Sequence, residues 1–188
     1  MRTTVVLALI ACLSQSAFAS GHGDGGHGKG RTKIDFRFDT ESTTDSRLFA
    51  KIDVSSGVSQ LTNTGSKSHN DDLAGYTITL TIGSSTFSAV ADEKGKTHAD
   101  STATPPVPFT AKLTANGKIM QIMANGLSLK DLFGIDTTQT SGQVTVEIDV
   151  SASKTDPVTT LTTTVPLSTQ SVTFYYSVKG TSVKGKNF

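Results

Sequence analysis

Apolar and polar side chains alternate with a period of two along most of the chain from Lys33 onward. Ile34, Phe36 and Phe38 fall on one side, and Lys33, Asp35, Arg37 and Asp39 on the other. That is the signature of a strand with one buried and one wet face. Leu48, Ala50, Ile52 and Val54 make a second ladder. Tyr76, Ile78, Leu80 and Ile82 make a third, against Thr77, Thr79 and Thr81. Phe87 to Ala91 follows as its hairpin partner across Gly83-Ser84-Ser85. Further strands are expected at Phe109 to Leu113, Ile119 to Met123, Val144 to Val150, Leu161 to Leu167 and Val172 to Val178. In the Val144 to Val150 strand, Thr145, Glu147 and Asp149 face water. The total is about nine strands.

Helix signals are sparse. The best is Ser128 to Phe133, where Ser128 can cap a single turn and Gly134 would stop it. With no helices alternating with strands to carry parallel crossovers, the pattern predicts an all-β protein. The expected architecture is an antiparallel β-sandwich, jelly-roll or immunoglobulin-like. A degenerate duplication is suggested by Asp72-Leu73-Ala74-Gly75 ahead of one strand and Asp131-Leu132-Phe133-Gly134 ahead of another. The proline-rich stretch Ala103 to Pro108 separates possible halves at 32–102 and 109–188. Each half alone would have a thin core, which favours a single domain over residues 32–188.

The start of the chain reads differently. Arg2, an apolar run from Val5 to Leu13 and the small-residue site Ala17-Phe18-Ala19 form a secretory signal peptide over residues 1–19. This implies a secreted or periplasmic, and so extracellular or envelope, location. An alternative is a lipoprotein anchored at Cys12, because Leu9-Ile10-Ala11-Cys12 resembles the box that precedes an acylated cysteine. Residues 20–31, dominated by Gly and His, have nothing to bury and are expected to form a flexible arm. Cleavage after Ala19 removes the chain's single Cys, which leaves no disulfide and no thiol chemistry.

Composition narrows the partners. The 188 residues carry 17 Lys+Arg against 16 Asp+Glu, and loss of Arg2 brings the mature chain from +1 to zero. Phosphate binding draws on a basic surplus gathered on one face, so nucleic acid is not an expected partner. The basic clusters Lys29 to Arg37 and Lys179, Lys184 and Lys186 read as two solvated ends. No apolar run approaches the roughly 20 residues of a membrane helix, so no transmembrane helix is expected in the mature chain. Signal, Gly-rich arm, Thr-rich ladders, Asp-Leu-x-Gly before a strand and a Lys-Gly ending together make the chain resemble uncharacterised secreted bacterial β-sandwich domains. The resemblance implies no activity and carries over no functional residue.

Chemistry-bearing constellations are few. Outside the arm the histidines are His69 and His98, each in a polar run with an acid nearby but with no strained turn to present a nucleophile. Glu147 and Asp149 share the wet face of one strand, where a flat solvated surface neither raises an acid's pKa nor orients a sugar. No enzyme and no cofactor are therefore expected. For metal, the candidates are Asn70, Asp71 and Asp72 as a calcium loop and His22 and His27 in the arm. Asp35, Asp39, Glu41 and Asp45 are a further oxygen set, without a defined loop spacing. For ligand binding the candidate is Tyr175, since Tyr176 shares the apolar ladder of Val172, Phe174 and Val178. The function expected is an exported, non-catalytic module that binds protein or glycan at the cell surface or scaffolds there. A lectin-like glycan binder is the alternative, and a secreted hydrolase is the less favoured reading.

Overall fold

The structure is a computed structural model that describes residues 32–42, 45–61, 73–114 and 117–187. The expected signal peptide, the alternative anchor site at Cys12, the expected arm with His22 and His27, His69, and the candidate loop of Asn70, Asp71 and Asp72 all lie outside the described residues.

Nine strands form one antiparallel sheet in the order β4-β3-β7-β8-β9-β1-β2-β6-β5. They are β1 Lys33–Asp39, β2 Arg47–Asp53, β3 Thr77–Ile82, β4 Ser85–Val90, β5 Phe109–Leu113, β6 Ile119–Asn125, β7 Ser141–Thr155, β8 Thr162–Lys179 and β9 Ser182–Lys186. The expected two-layer sandwich is thus replaced by a single sheet, rolled until its edges nearly meet. Closure comes from the chain that leaves β4. The Thr97 amide donates to the Ala111 carbonyl at 2.9 Å, and the Ala111 amide donates to Thr97 Oγ1 at 2.7 Å. Asp100 and Val107 form a further bridge. The segment after one edge strand therefore lies against β5, the opposite edge, and covers backbone groups that an open edge would expose.

The alternation predicted from sequence selects the inner face. Ile34, Phe36 and Phe38 of β1, Leu48, Ala50 and Ile52 of β2, and Ile78, Leu80 and Ile82 of β3 are all buried in one continuous core. Strands from the two expected halves interleave in the sheet, so neither 32–102 nor 109–188 contributes one continuous run of strands. The proline stretch forms the loop into β5.

Two strands expected at 161–167 and 172–178 are one strand, β8. Its inward positions are Val165 on one side of Leu167 and Val172, Phe174 and Tyr176 on the other, and the phase breaks between them. The cause is a β-bulge. Val150 faces Ser168 while Ser151 faces Pro166, which leaves Leu167 as the extra residue. Pro166 is tolerated because β9 pairs only with Tyr175 to Lys179, leaving the β8 edge unpaired at that point.

Two short helices close the ends of the core. The first, α1 (Ser55–Leu61), escaped sequence reading, since its Ser- and Gly-rich turn buries little beyond Gly57 and Val58. Asp53 Oδ1 accepts from the Ser55 amide at 3.0 Å and from its hydroxyl at 2.6 Å, which turns the chain out of β2. Gly57 lies so close to the bulge that an added Cβ would stand 2.3 Å from Leu167 Cα. The second, α2 (Leu129–Phe133), falls at the expected place and ends at Gly134 in the left-handed region, φ 62°, but the Ser128 side chain does not cap it and donates to the Asp131 carboxylate instead. It drives Phe133 between Phe36 and Phe174, with ring centroids at 4.8 and 5.0 Å.

Candidate ligand groove on the outer wall

Because β9 pairs with both β8 and β1, the first and last described strands become neighbours. The basic clusters read as two separate solvated ends meet on one wall: Lys184 faces Arg37 across the β9–β1 pair, and Arg37 faces Arg47 across β1–β2. Facing positions on adjacent strands project to the same side of a sheet. The three side chains therefore form one outward row, all of them exposed. Facing Cα atoms in antiparallel strands lie about 5 Å apart, so the row spans about 10 Å. None of the three makes an ion pair with a described residue.

A second row runs beside it. Tyr175 faces Lys186, Lys186 faces Asp35, and Asp35 faces Phe49. Tyr175 is 50% exposed while Tyr176 is buried, as the alternation along β8 requires. Phe49 is half-buried, with Lys51 Nζ 5.8 Å from its ring centroid. Asp35 pairs with Lys33 at 3.6 Å. Together the rows line an open groove of about 700 Å³. Its floor is set by glycine: Gly185 points inward, and Phe36 occupies the space of its missing side chain, 2.2 Å from where a Cβ would sit.

A smaller depression of about 520 Å³ continues from the groove and shares Arg37, Arg47 and Lys184 with it. Asp39, Asp45 and Ser46 complete its lining. Asp39 accepts hydrogen bonds from the Glu41 amide at 2.9 Å and the Thr181 hydroxyl at 2.8 Å, and these hold its carboxyl below the ordinary value. Ser46 is 3% exposed, and its hydroxyl has no hydrogen-bond partner in the structure.

Of the other candidates from sequence, Asp35 lines the groove and Asp39 and Asp45 the depression, while His98, Glu147 and Asp149 fall elsewhere. Asp35 and Asp39 share β1, but Asp35 is committed to Lys33 and Asp39 to its turn. Among the described residues no three His, Cys, Asp or Glu side chains gather as a metal site. His98 Nε2 lies 2.9 Å from Asp92 Oδ2, and among the described residues no hydroxyl bonds to its ring. That bond and the Lys96 amide lower the Asp92 carboxyl to about 2. Glu147 and Asp149 stand on the outer face of β7, away from the groove.

Sequence reasoning selected Tyr175 but missed Arg37, Arg47 and Lys184 as a unit. The available signal was the outward phase of Lys33-x-Asp35-x-Arg37 and of Lys184-x-Lys186; what it lacked was the pairing between them. No family model, no curated protein and no solved structure matches the chain.

Proposed function

We propose that this chain is an exported, non-catalytic β-module that binds a glycan at the cell envelope or outside the cell, through the groove over β8, β9, β1 and β2. One observation carries the reading: the half-exposed Tyr175 ring, Phe49, Lys186 and Asp35 stand in a single cross-strand row. A sugar offers an apolar C–H face and a rim of hydroxyls. The ring of Tyr175 suits the first, and cations and a carboxylate on rigid strands suit the second. Strands hold such groups in fixed register, which lowers the ordering cost of binding. Export is supported by Arg2, the apolar run after it and Ala17-Phe18-Ala19.

Two measurements test the reading. On a glycan array the purified protein is expected to bind a defined subset of glycans, and Tyr175→Ala should weaken that binding by about tenfold. A protein that binds no glycan would instead have a scaffolding role. Intact-mass measurement of protein recovered from an envelope or medium fraction should give a chain starting at Ser20 without lipid. An acylated chain starting at Cys12 would make it a membrane-anchored lipoprotein.

A further inference from the structure

We infer that the Lys184, Arg37 and Arg47 row is an anion-binding subsite, and that the glycan it accepts is an acidic polysaccharide bearing carboxylate or sulfate groups. This rests on the glycan reading above and narrows it to a substrate class.

Two observations converge. First, like charges directly opposite one another on neighbouring strands repel, yet here three cations occupy consecutive strands with no carboxylate among the described residues paired to any of them. An oxyanion placed over the row turns that repulsion into attraction, and two guanidinium groups can each meet it with paired N–H donors. Second, the row is the shared boundary of the groove and the adjoining depression, so a ligand lying along both must pass over it.

The carboxylates around the row decide the kind of anion. Asp35 stands beside it in the groove, and Asp39 and Asp45 stand beside it in the depression. A nucleic acid strand carries a phosphate on every nucleotide and would be repelled at those positions. An acidic polysaccharide separates its charges with hydroxyls. Those hydroxyls donate to the carboxylates while the acidic groups meet the cations, so both signs on this wall find a complement. Tyr175 then lies under a neighbouring sugar ring.

The test is titration calorimetry of the purified protein against four probes at low salt: neutral dextran, polygalacturonate, dextran sulfate and a single-stranded DNA oligomer. Polygalacturonate or dextran sulfate is expected to bind at least about tenfold more tightly than dextran, with affinity falling as salt screens the row. Which of the two binds better identifies the acidic group as carboxylate or sulfate. The triple variant Arg37→Gln, Arg47→Gln, Lys184→Gln should lose that preference. Lys94→Gln, Lys118→Gln, Lys130→Gln removes the same net charge elsewhere and should keep it. All six side chains are exposed, and circular dichroism checks that both variants fold. Equal binding of dextran and the acidic polymers, or equal loss in both triple variants, overturns the anion subsite while leaving the glycan reading standing. DNA binding as tight as the acidic polymers overturns the polysaccharide assignment. No binding of any polymer removes the glycan reading together with the subsite.

Discussion

On the wall formed by β4, β3, β7 and the adjoining part of β8, facing hydroxyls satisfy one another, although Asp149 Oδ1 is buried there without a hydrogen-bond partner. Thr79 pairs with Ser88 at 2.9 Å, Thr81 with Thr86 at 3.2 Å and Thr145 with Thr173 at 2.9 Å. Each is a facing pair in its ladder. On the wall formed by β9, β1 and β2, the corresponding facing positions hold Lys184, Arg37 and Arg47. The inner faces of the two walls are alike, aliphatic and aromatic and continuous in one core. The difference lies outside. Hydroxyl pairs use their hydrogen-bonding capacity on the protein itself, whereas a row of like charges keeps its capacity for a visitor and costs the fold something to hold.

The largest expected effect tests whether the walls share one cooperative core. Ile148 lies 3% exposed under the hydroxyl wall, and Phe36 lies 4% exposed under the cationic one. Ile148→Ala should cost about 2 to 5 kcal/mol and Phe36→Ala about 3 to 5 kcal/mol in chemical denaturation, each as a single transition. If either substitution cost less than about 1 kcal/mol, or split the transition, the walls would be two weakly coupled sheets.

Much of that core was legible from the sequence, because period two is a local property. Ile34, Phe36 and Phe38 need no partner to declare their face. Closure was not legible, since Thr97 and Ala111 meet only across the seam, and neither was the joining of the two walls through β9, whose Ser-Val-Lys-Gly-Lys run offers Val183 as its one apolar side chain and gives no alternation to read. Its Gly185 matters through Phe36, a contact that only pairing creates. The bulge at Leu167 broke the phase of β8 and made one strand read as two. The groove stayed hidden for the same reason as the closure. Tyr175 was visible from its phase against Tyr176, whereas Arg37 and Lys184 sit at opposite ends of the chain and acquire a relation only in the sheet.

The next effect concerns the seam where the walls meet. Thr97 is fully buried, and its hydroxyl accepts from the Ala111 amide. Thr97→Val keeps the shape but leaves that amide unpaired, at a cost of about 1 to 3 kcal/mol. Hydrogen exchange should then rise first at Ala111 and along β5. Exchange rising equally everywhere would mean that the seam opens only when the whole protein unfolds.

Smaller in size but sharper in meaning is a difference of sign. Thr145→Ala removes one member of a hydroxyl pair and should lower stability by less than about 1 kcal/mol. Arg47→Glu places a carboxylate opposite Arg37 and should raise stability by about 0.2 to 1 kcal/mol, while weakening any anionic ligand. Opposite signs in denaturant midpoints would show that the cationic wall trades stability for binding. Destabilisation by both would mean that Arg47 serves the fold, and the contrast between the walls would lose its functional meaning.

The smallest effect is acid dependence in the loop that leads from the hydroxyl wall to the seam. The Asp92 carboxyl accepts from the His98 ring and from the amides of Lys96 and Lys94, and lies at about 2 in place of an ordinary 3.8. A carboxyl lowered by folding contributes stability that is complete above its ordinary value and is lost as pH falls through its folded one. The loop should therefore hold at pH 5 and loosen between about pH 4 and pH 2, as the Asp92 carboxyl takes up its proton. The Asp92 side chain is solvent-exposed enough for salt to screen its charge, so the readout is local: the carboxyl carbon followed by NMR titration. In the wild type its midpoint should lie near 2, and in His98→Ala it should move up toward 3.8. Asp39 makes the internal comparison, since its carboxyl is held down by the Glu41 amide and the Thr181 hydroxyl and owes nothing to His98. If His98→Ala shifted Asp39 as much as Asp92, the loop and the cationic wall would be coupled through the seam. A shift confined to Asp92 would leave the two regions independent outside the core they share.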